Sequence, residues 1–302
     1  MTAPTLANEP LEVRYSAETS PRSTLHHALR LTQLPLLLFR HRGMLRHFVT
    51  RELQSRFADN LLGPLWVLLQ PMFMFAVYFV VFTQIVNRGV MEENEVFATY
   101  LFSGMICFNS IVAGSTGGLG AIVGNGNIVK KVKFPCEVMP FVPVFVEHVV
   151  FLFGLVIVVA VGLILGTMHF GVELLALPWF LLTLLCFTSG LSMTLANVAV
   201  FMRDIQQLWA IFASAWFFLS PGFWTPKFVQ ERAGWVAELL SWNPAFHILV
   251  AERHVLGLAR AQDGFTDSMI ENLTTASIWS IALMLIGYGT FMANKHKYAD
   301  LI

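Results

Sequence analysis

Six stretches of this chain, 61–87, 96–129, 149–172, 174–202, 205–226 and 272–294, contain no Lys, Arg, Asp or Glu. No other feature constrains the fold as strongly, because each run reaches roughly the 18–20 apolar residues that carry a helix across a bilayer core. Backbone groups in lipid must be satisfied within the segment, so runs of this length span as helices. The pattern predicts six transmembrane helices near 64–86, 97–123, 145–166, 176–200, 207–225 and 273–293. Composition agrees: 56% of residues are hydrophobic and 13% charged, where a soluble domain carries about a quarter charged. The fold class is all-α integral membrane.

Loop charge sets the orientation. With the N-terminus inside, segments 1–62, 124–137, 203–204 and 294–302 face the cytoplasm and hold 14 of the 19 Lys and Arg residues. The outside loops hold only Arg88, Lys227, Arg232, Arg253 and Arg260. This is the positive-inside asymmetry, and it predicts two cytoplasmic termini. The first 24 residues are polar and lack an apolar h-region, so they are not a cleaved signal peptide. Residues 1–28 are expected to form a disordered cytoplasmic tail, 29–62 an interfacial segment and 63–302 the membrane domain.

Within the interfacial segment, RHFVTRELQSRFADNLLGP predicts a helix along the inner membrane surface. Leu45, Phe48, Val49, Leu53 and Phe57 share one broad face, and Glu52 and Arg56 are spaced to pair at i,i+4. Arg46, Glu52 and Arg56 border that face, which an interfacial helix tolerates because long stems lie on the apolar boundary with their heads in water. The upstream LTQLPLLLF is too short to span and is read as a second interfacial element.

Most catalytic chemistry is missing from the sequence. No G-x-x-x-x-G-K-[ST] loop occurs to cradle nucleotide phosphates. The series GSTGGLGAIVG in helix two, with Gly114/Gly118 and Gly120/Gly124 each four apart, predicts close helix packing rather than a dinucleotide loop. Cys107, Cys136 and Cys186 have no metal or disulfide spacing, and the nine histidines form no H-E-x-x-H. His247 and His254, seven apart beside Glu252, are not read as a metal pair. Glu147-His148 is the one titratable pair inside a predicted span, about a turn from the cytoplasmic interface. It serves either packing there or the inner mouth of a pathway. Ion-coupled carriers need ionisable groups deep in the bilayer. This chain offers almost none, so any transport draws its energy from elsewhere.

Helix five carries LWAIFASAWFFLSPGFW. Trp209, Phe212, Trp216 and Phe223 fall within about 60° of one another if the helix runs on past Ser220-Pro221-Gly222. They form either a packing or interfacial belt or a surface on which the C–H faces of sugar rings stack. Segment 226–273 follows on the outside, too long for a simple connection. In it, Asn243 reads as an N-cap and Pro244 as the first turn of a helix holding FHILVAERHVLGL, tucked against the bundle or into the outer leaflet.

From about residue 45 onward the order of motifs resembles the ABC-2 type permeases that export bacterial polysaccharides such as O-antigen, capsule and teichoic acid. The matching stretches are RELQSRFADNLLGPLWVLLQP, NIVKKVKFP, FMRDIQQL, SPGFWTP and WNPAFHILVAER. The chain departs from the pattern at Arg56-Phe57, where many relatives have Arg-Tyr, and at Cys136-Glu137, where a basic residue is common. The resemblance implies a homodimer in the bacterial cytoplasmic membrane, bound to two copies of an ATP-binding subunit that holds ATP and Mg, with no cofactor in this chain and no nucleic-acid partner. In NIVKKVKFP, Asn127 can cap a short helix with Ile128 and Val132 on one face and Lys130 and Lys131 pointing away. By this resemblance, Asn127, Ile128, Lys130, Lys131 and Lys133, with Arg51 and Arg56, meet the ATP-binding subunit. The lysines equally suit anionic lipid headgroups, and the two roles are compatible. Trp209, Phe212, Trp216 and Phe223 would line the path of a lipid-linked polysaccharide, and Pro221, Trp224, Asn243, Pro244 and Arg253 would belong to a periplasmic gate. A permease of the same fold for a drug or small lipid is the alternative. An integral-membrane transferase would want paired carboxylates or histidines at one depth, and only the outside segment offers any.

Overall fold

The computed structural model describes residues 29–57, 63–81, 94–126, 135–168, 171–259 and 268–302. The expected N-terminal tail and the lysine-rich stretch 127–134 lie outside the described residues. The described residues are mostly helical, without strands: α1 (Leu34–Arg40), α2 (Arg42–Phe57), α3 (Trp66–Val80), α4 (Asn94–Val123), α5 (Phe141–Ile164), α6 (Leu177–Phe201), α7 (Ile205–Phe218), α8 (Pro226–Arg232), α9 (Gly234–Ser241), α10 (Pro244–Val255), α11 (Met269–Asn294) and α12 (Tyr298–Leu301).

Among the described residues four helical stretches, Val96–Val123, Cys136–Ile164, Val172–Phe201 and Met269–Lys297, are long and apolar enough to cross a membrane. The other two expected spans are shorter. α3 has 15 residues, and residues 82–87 of its apolar run lie outside the described residues. α7 has 14 residues, about 21 Å at 1.5 Å per residue, and stops at Phe218 instead of the expected 225. The apolar run goes on, but Pro221 has no N–H to continue the ladder and the chain turns at Ser220–Gly222.

Close backbone approach holds the bundle together. α6 and α11 meet where a Cβ on Gly190 would lie 2.5 Å from Met284 N, and one on Gly287 would run into the Gly190 carbonyl. Side chains tie both ends of this pair: Trp179 Nε1 donates to Ser277 Oγ at 3.0 Å and Asn294 Nδ2 to Asn197 Oδ1 at 3.1 Å. The α4 glycine series packs as small residues do in lipid, with one change from the expected pairs. Gly114 sits against Thr188 and Gly118 against Ser192 of α6, and Gly117 takes Pro143 of α5. Gly120 faces open space, and Gly124 meets only the Gly120 carbonyl of its own helix.

α2 shows the burial pattern of an amphipathic helix. Leu45, Phe48, Val49 and Leu53 are partly buried while the intervening residues are exposed. α1 buries Leu34 against the C-terminal half of α11, with Leu36 and Phe39 facing out. Segment 226–259 folds as three short helices, of which the sequence showed only the last. α10 starts as expected, with Asn243 Oδ1 accepting from Ala245 N at 3.1 Å and Pro244 at the first position, and it is buried against α4, α6 and α11.

Candidate functional site: an aromatic cavity and its outer closure

α7 brings Trp209, Phe212 and Trp216 together because residues three and four apart share a helix face. Their ring centroids lie 5.5–6.1 Å apart. With Phe187 and Leu191 of α6, Leu239 and Leu240 of α9 and Leu283 of α11 they wall an open cavity of about 410 Å³. Phe223 does not join them: with α7 ending at Phe218 it stacks on Phe217 and Phe218 instead.

The tryptophans are largely packed, each 6% exposed, and both indole N–H groups are committed. Trp209 Nε1 donates to Thr116 Oγ1 and Trp216 Nε1 to Asn243 Oδ1, both at 2.8 Å. What they offer a ligand is apolar ring surface. Phe212, 49% exposed, presents the most. Such walls suit hydrocarbon or the C–H face of a sugar and offer little to a ligand that must hydrogen-bond.

Asn243 lines the cavity at its α10 end. Besides capping α10 and accepting from Trp216, it donates through Nδ2 to Leu219 O at 3.0 Å and to Ser220 Oγ at 2.9 Å. One side chain thus joins the end of α7, the turn after it and the start of α10. The same turn is held from the other side. Tyr100 Oη donates to Trp224 O at 2.7 Å, and Arg253 Nη2 donates to Gly222 O at 3.1 Å with its guanidinium 3.7 Å from the centre of the Tyr100 ring. Gly104 makes room for this, because a Cβ there would run into Arg253 Nη2 and sit 2.8 Å from Gly222 O. Glu252 and Arg253 are both fully buried, in the helix expected to tuck against the bundle or into the outer leaflet. Burial pushes the Glu252 carboxyl up to about 8, against the pull of the neighbouring Arg253.

Arg56 of α2 reaches Glu147 of α5, Nη1 to Oε1 at 2.5 Å. Glu147 and His148 are both buried, so the pair faces a helix contact and not an open mouth. Arg51 is exposed. Asn127, Ile128, Lys130, Lys131 and Lys133 lie outside the described residues. The five residues assigned to a gate, Pro221, Trp224, Asn243, Pro244 and Arg253, lie in the Ser220–Trp224 turn, at the start of α10 or bonded to that turn. Tyr100, Gly104 and Ser220 belong there too and were not read from the sequence. A lone tyrosine or glycine in an apolar helix gives no signal of its partner.

Among the described residues no group of three or more His, Cys, Asp or Glu is placed to hold a metal, and the three cysteines are free. His247 Nδ1 lies 3.3 Å from Asn272 Oδ1. The arrangement is that of a polytopic helical membrane protein. Residues 44–256, α2 through α10, match the ABC-2 type transporter family, and the chain belongs to it. It is 25% identical over 268 residues to the "O-antigen export system permease protein RfbA" of Myxococcus xanthus, covering 88% of this chain and 97% of that protein. It is 20% identical over 254 residues to the protein of the same description from Klebsiella pneumoniae, covering 83% and 92%.

Proposed function

We propose that this chain is the membrane permease of an ATP-driven exporter that moves a lipid-linked polysaccharide of the O-antigen kind across the bacterial cytoplasmic membrane. The observation that carries the reading is its similarity, along more than four-fifths of its length, to permeases described as O-antigen exporters. The chain has no phosphate loop of its own and almost no charge in its spans. The energy therefore comes from a separate ATP-binding subunit on the cytoplasmic side, two copies serving a permease dimer.

In this reading both termini and residues 124–137 are cytoplasmic, and the segment holding Lys130, Lys131 and Lys133 receives the motion of the ATP-binding subunit. The polymer follows the dimer axis, with Trp209, Phe212 and Trp216 giving an apolar surface along which it slides, since ring stacking is less directional than hydrogen bonding. Segment 226–273 serves as the outer gate. Its hinge is the Ser220–Trp224 turn, which Asn243, Tyr100 and Arg253 hold shut.

The test is ATP-dependent uptake of lipid-linked glycan by inside-out proteoliposomes containing the complex. Replacing both Lys130 and Lys131 by Glu is expected to leave ATP hydrolysis running while export stops. Undiminished export in that variant would rule out the coupling role, and absence of glycan uptake by the wild type would rule out the substrate.

A further inference from the structure

Residues 295–302 fold back under the bundle and touch both flanks of the stretch 127–134. Tyr298 is the anchor. It is wholly buried, its hydroxyl donates to Asn197 Oδ1 of α6 at 2.9 Å and to Phe291 O at 3.2 Å, and its ring meets Phe291 edge-on at 5.1 Å. Burial pushes the phenol well above its ordinary value, so it remains a donor. Leu34 of α1 and Cys136 and Met139, just ahead of α5, complete the socket.

From this anchor two contacts reach outward. Lys295 Nζ lies 2.6 Å from Glu137 Oε2, on the far flank of 127–134. On the near flank, a Cβ built on Gly126 would lie 2.6 Å from Ile302 Cγ2. The Glu137 side chain is 8% exposed and that of Lys295 30%. An ion pair this sheltered gives up hydration and adds little net stability, so its use lies in fixing one geometry.

We infer that residues 295–302 form a clamp between Gly126, just past the end of α4, and Glu137, just ahead of α5, with Lys295 and Tyr298 as positioning residues for coupling to the ATP-binding subunit. The inference rests on the proposed role of 127–134. Bracing the ends of α4 and α5 on one anchor makes the two helices move together when pushed.

The test uses the intact complex in nanodiscs and measures export per ATP hydrolysed. A nitroxide at Lys131→Cys, with the three native cysteines replaced by alanine, reports the mobility of the segment independently. Lys295→Glu and Glu137→Lys are each expected to raise nitroxide mobility and lower export per ATP by about fivefold or more. The double charge swap should restore both. Tyr298→Phe, which keeps the buried ring and loses only the hydroxyl bonds, should give a smaller change in the same direction. Unchanged mobility in the single variants, or a double swap that fails to recover, overturns the clamp. Lys130→Glu/Lys131→Glu is run alongside: if it uncouples while the clamp variants do not, the clamp alone fails. If mobility rises and recovers as expected with export per ATP constant throughout, the coupling role of 127–134 fails instead.

Discussion

The socket around Arg253 allows a quantitative test by a double-mutant cycle with Gly104. Arg253→Ala removes a charged hydrogen bond to Gly222 O, worth about 1.5–3 kcal/mol, and a desolvated contact with the Tyr100 ring, worth about 2 kcal/mol. The bond to Leu249 O, at 3.4 Å, adds little. The sum is about 3.5–5 kcal/mol. Gly104→Ala puts a methyl group where Arg253 Nη2 sits and 2.8 Å from a backbone carbonyl, an overpacking of about 1–3 kcal/mol. With Arg253 already gone, only the carbonyl contact remains. Gly104→Ala should then cost less than about 1 kcal/mol, a coupling of about 1–2 kcal/mol. Unfolding in mixed micelles by increasing SDS, followed by tryptophan fluorescence, gives the four stabilities. Additivity within about 0.5 kcal/mol would refute the claim that Gly104 is small in order to seat Arg253.

Three further outcomes are expected. Gly190→Ala and Gly287→Ala should each lose about 1–3 kcal/mol because the added methyl meets backbone, whereas Gly120→Ala, facing open space, should be neutral or gain up to about 1 kcal/mol from helix propensity; equal effects at the three sites would contradict the packing. The folded-state value of Glu252, raised to about 8, means that its contribution to stability is fully present below its unfolded value and is lost as pH rises through about 8. The melting temperature of the wild type should therefore fall across that window while Glu252→Gln stays flat, and parallel profiles would contradict it. Phe212→Ala, on the exposed cavity wall, should slow export without lowering the yield of assembled complex, and normal export would remove Phe212 from the path.

Much of the fold was legible because a bilayer enforces simple rules. Four charge-free runs became the long spanning helices, and the Asn243-Pro244 start of α10 and the buried face of α2 followed from capping and periodicity. The end of α7 was misread because apolar character and helical spacing both persist through Phe223, and only the proline and glycine at 221–222 mark the stop. Phe223 consequently left the aromatic face. The site was less legible than the fold, because its residues act through partners distant in sequence. Arg56 meets Glu147 across 91 residues, and Trp216 meets Asn243 across 27. The full burial of Arg253 was not legible, because Tyr100 and the Gly104 notch, which make it possible, lie about 150 residues away. Tyr298 gave no hint of its role, since a four-residue helix has no periodicity to read.

The account stands on one claim, that this permease is driven by a separate ATP-binding subunit. Gentle solubilisation of the tagged chain from its native membrane, with mass spectrometry of what co-purifies in stoichiometric amount, tests it most directly. The account predicts one ATP-binding subunit per permease, bearing a G-x-x-x-x-G-K-[ST] loop. Recovery of the permease without any such subunit, under several mild conditions that preserve its own assembly, would contradict it.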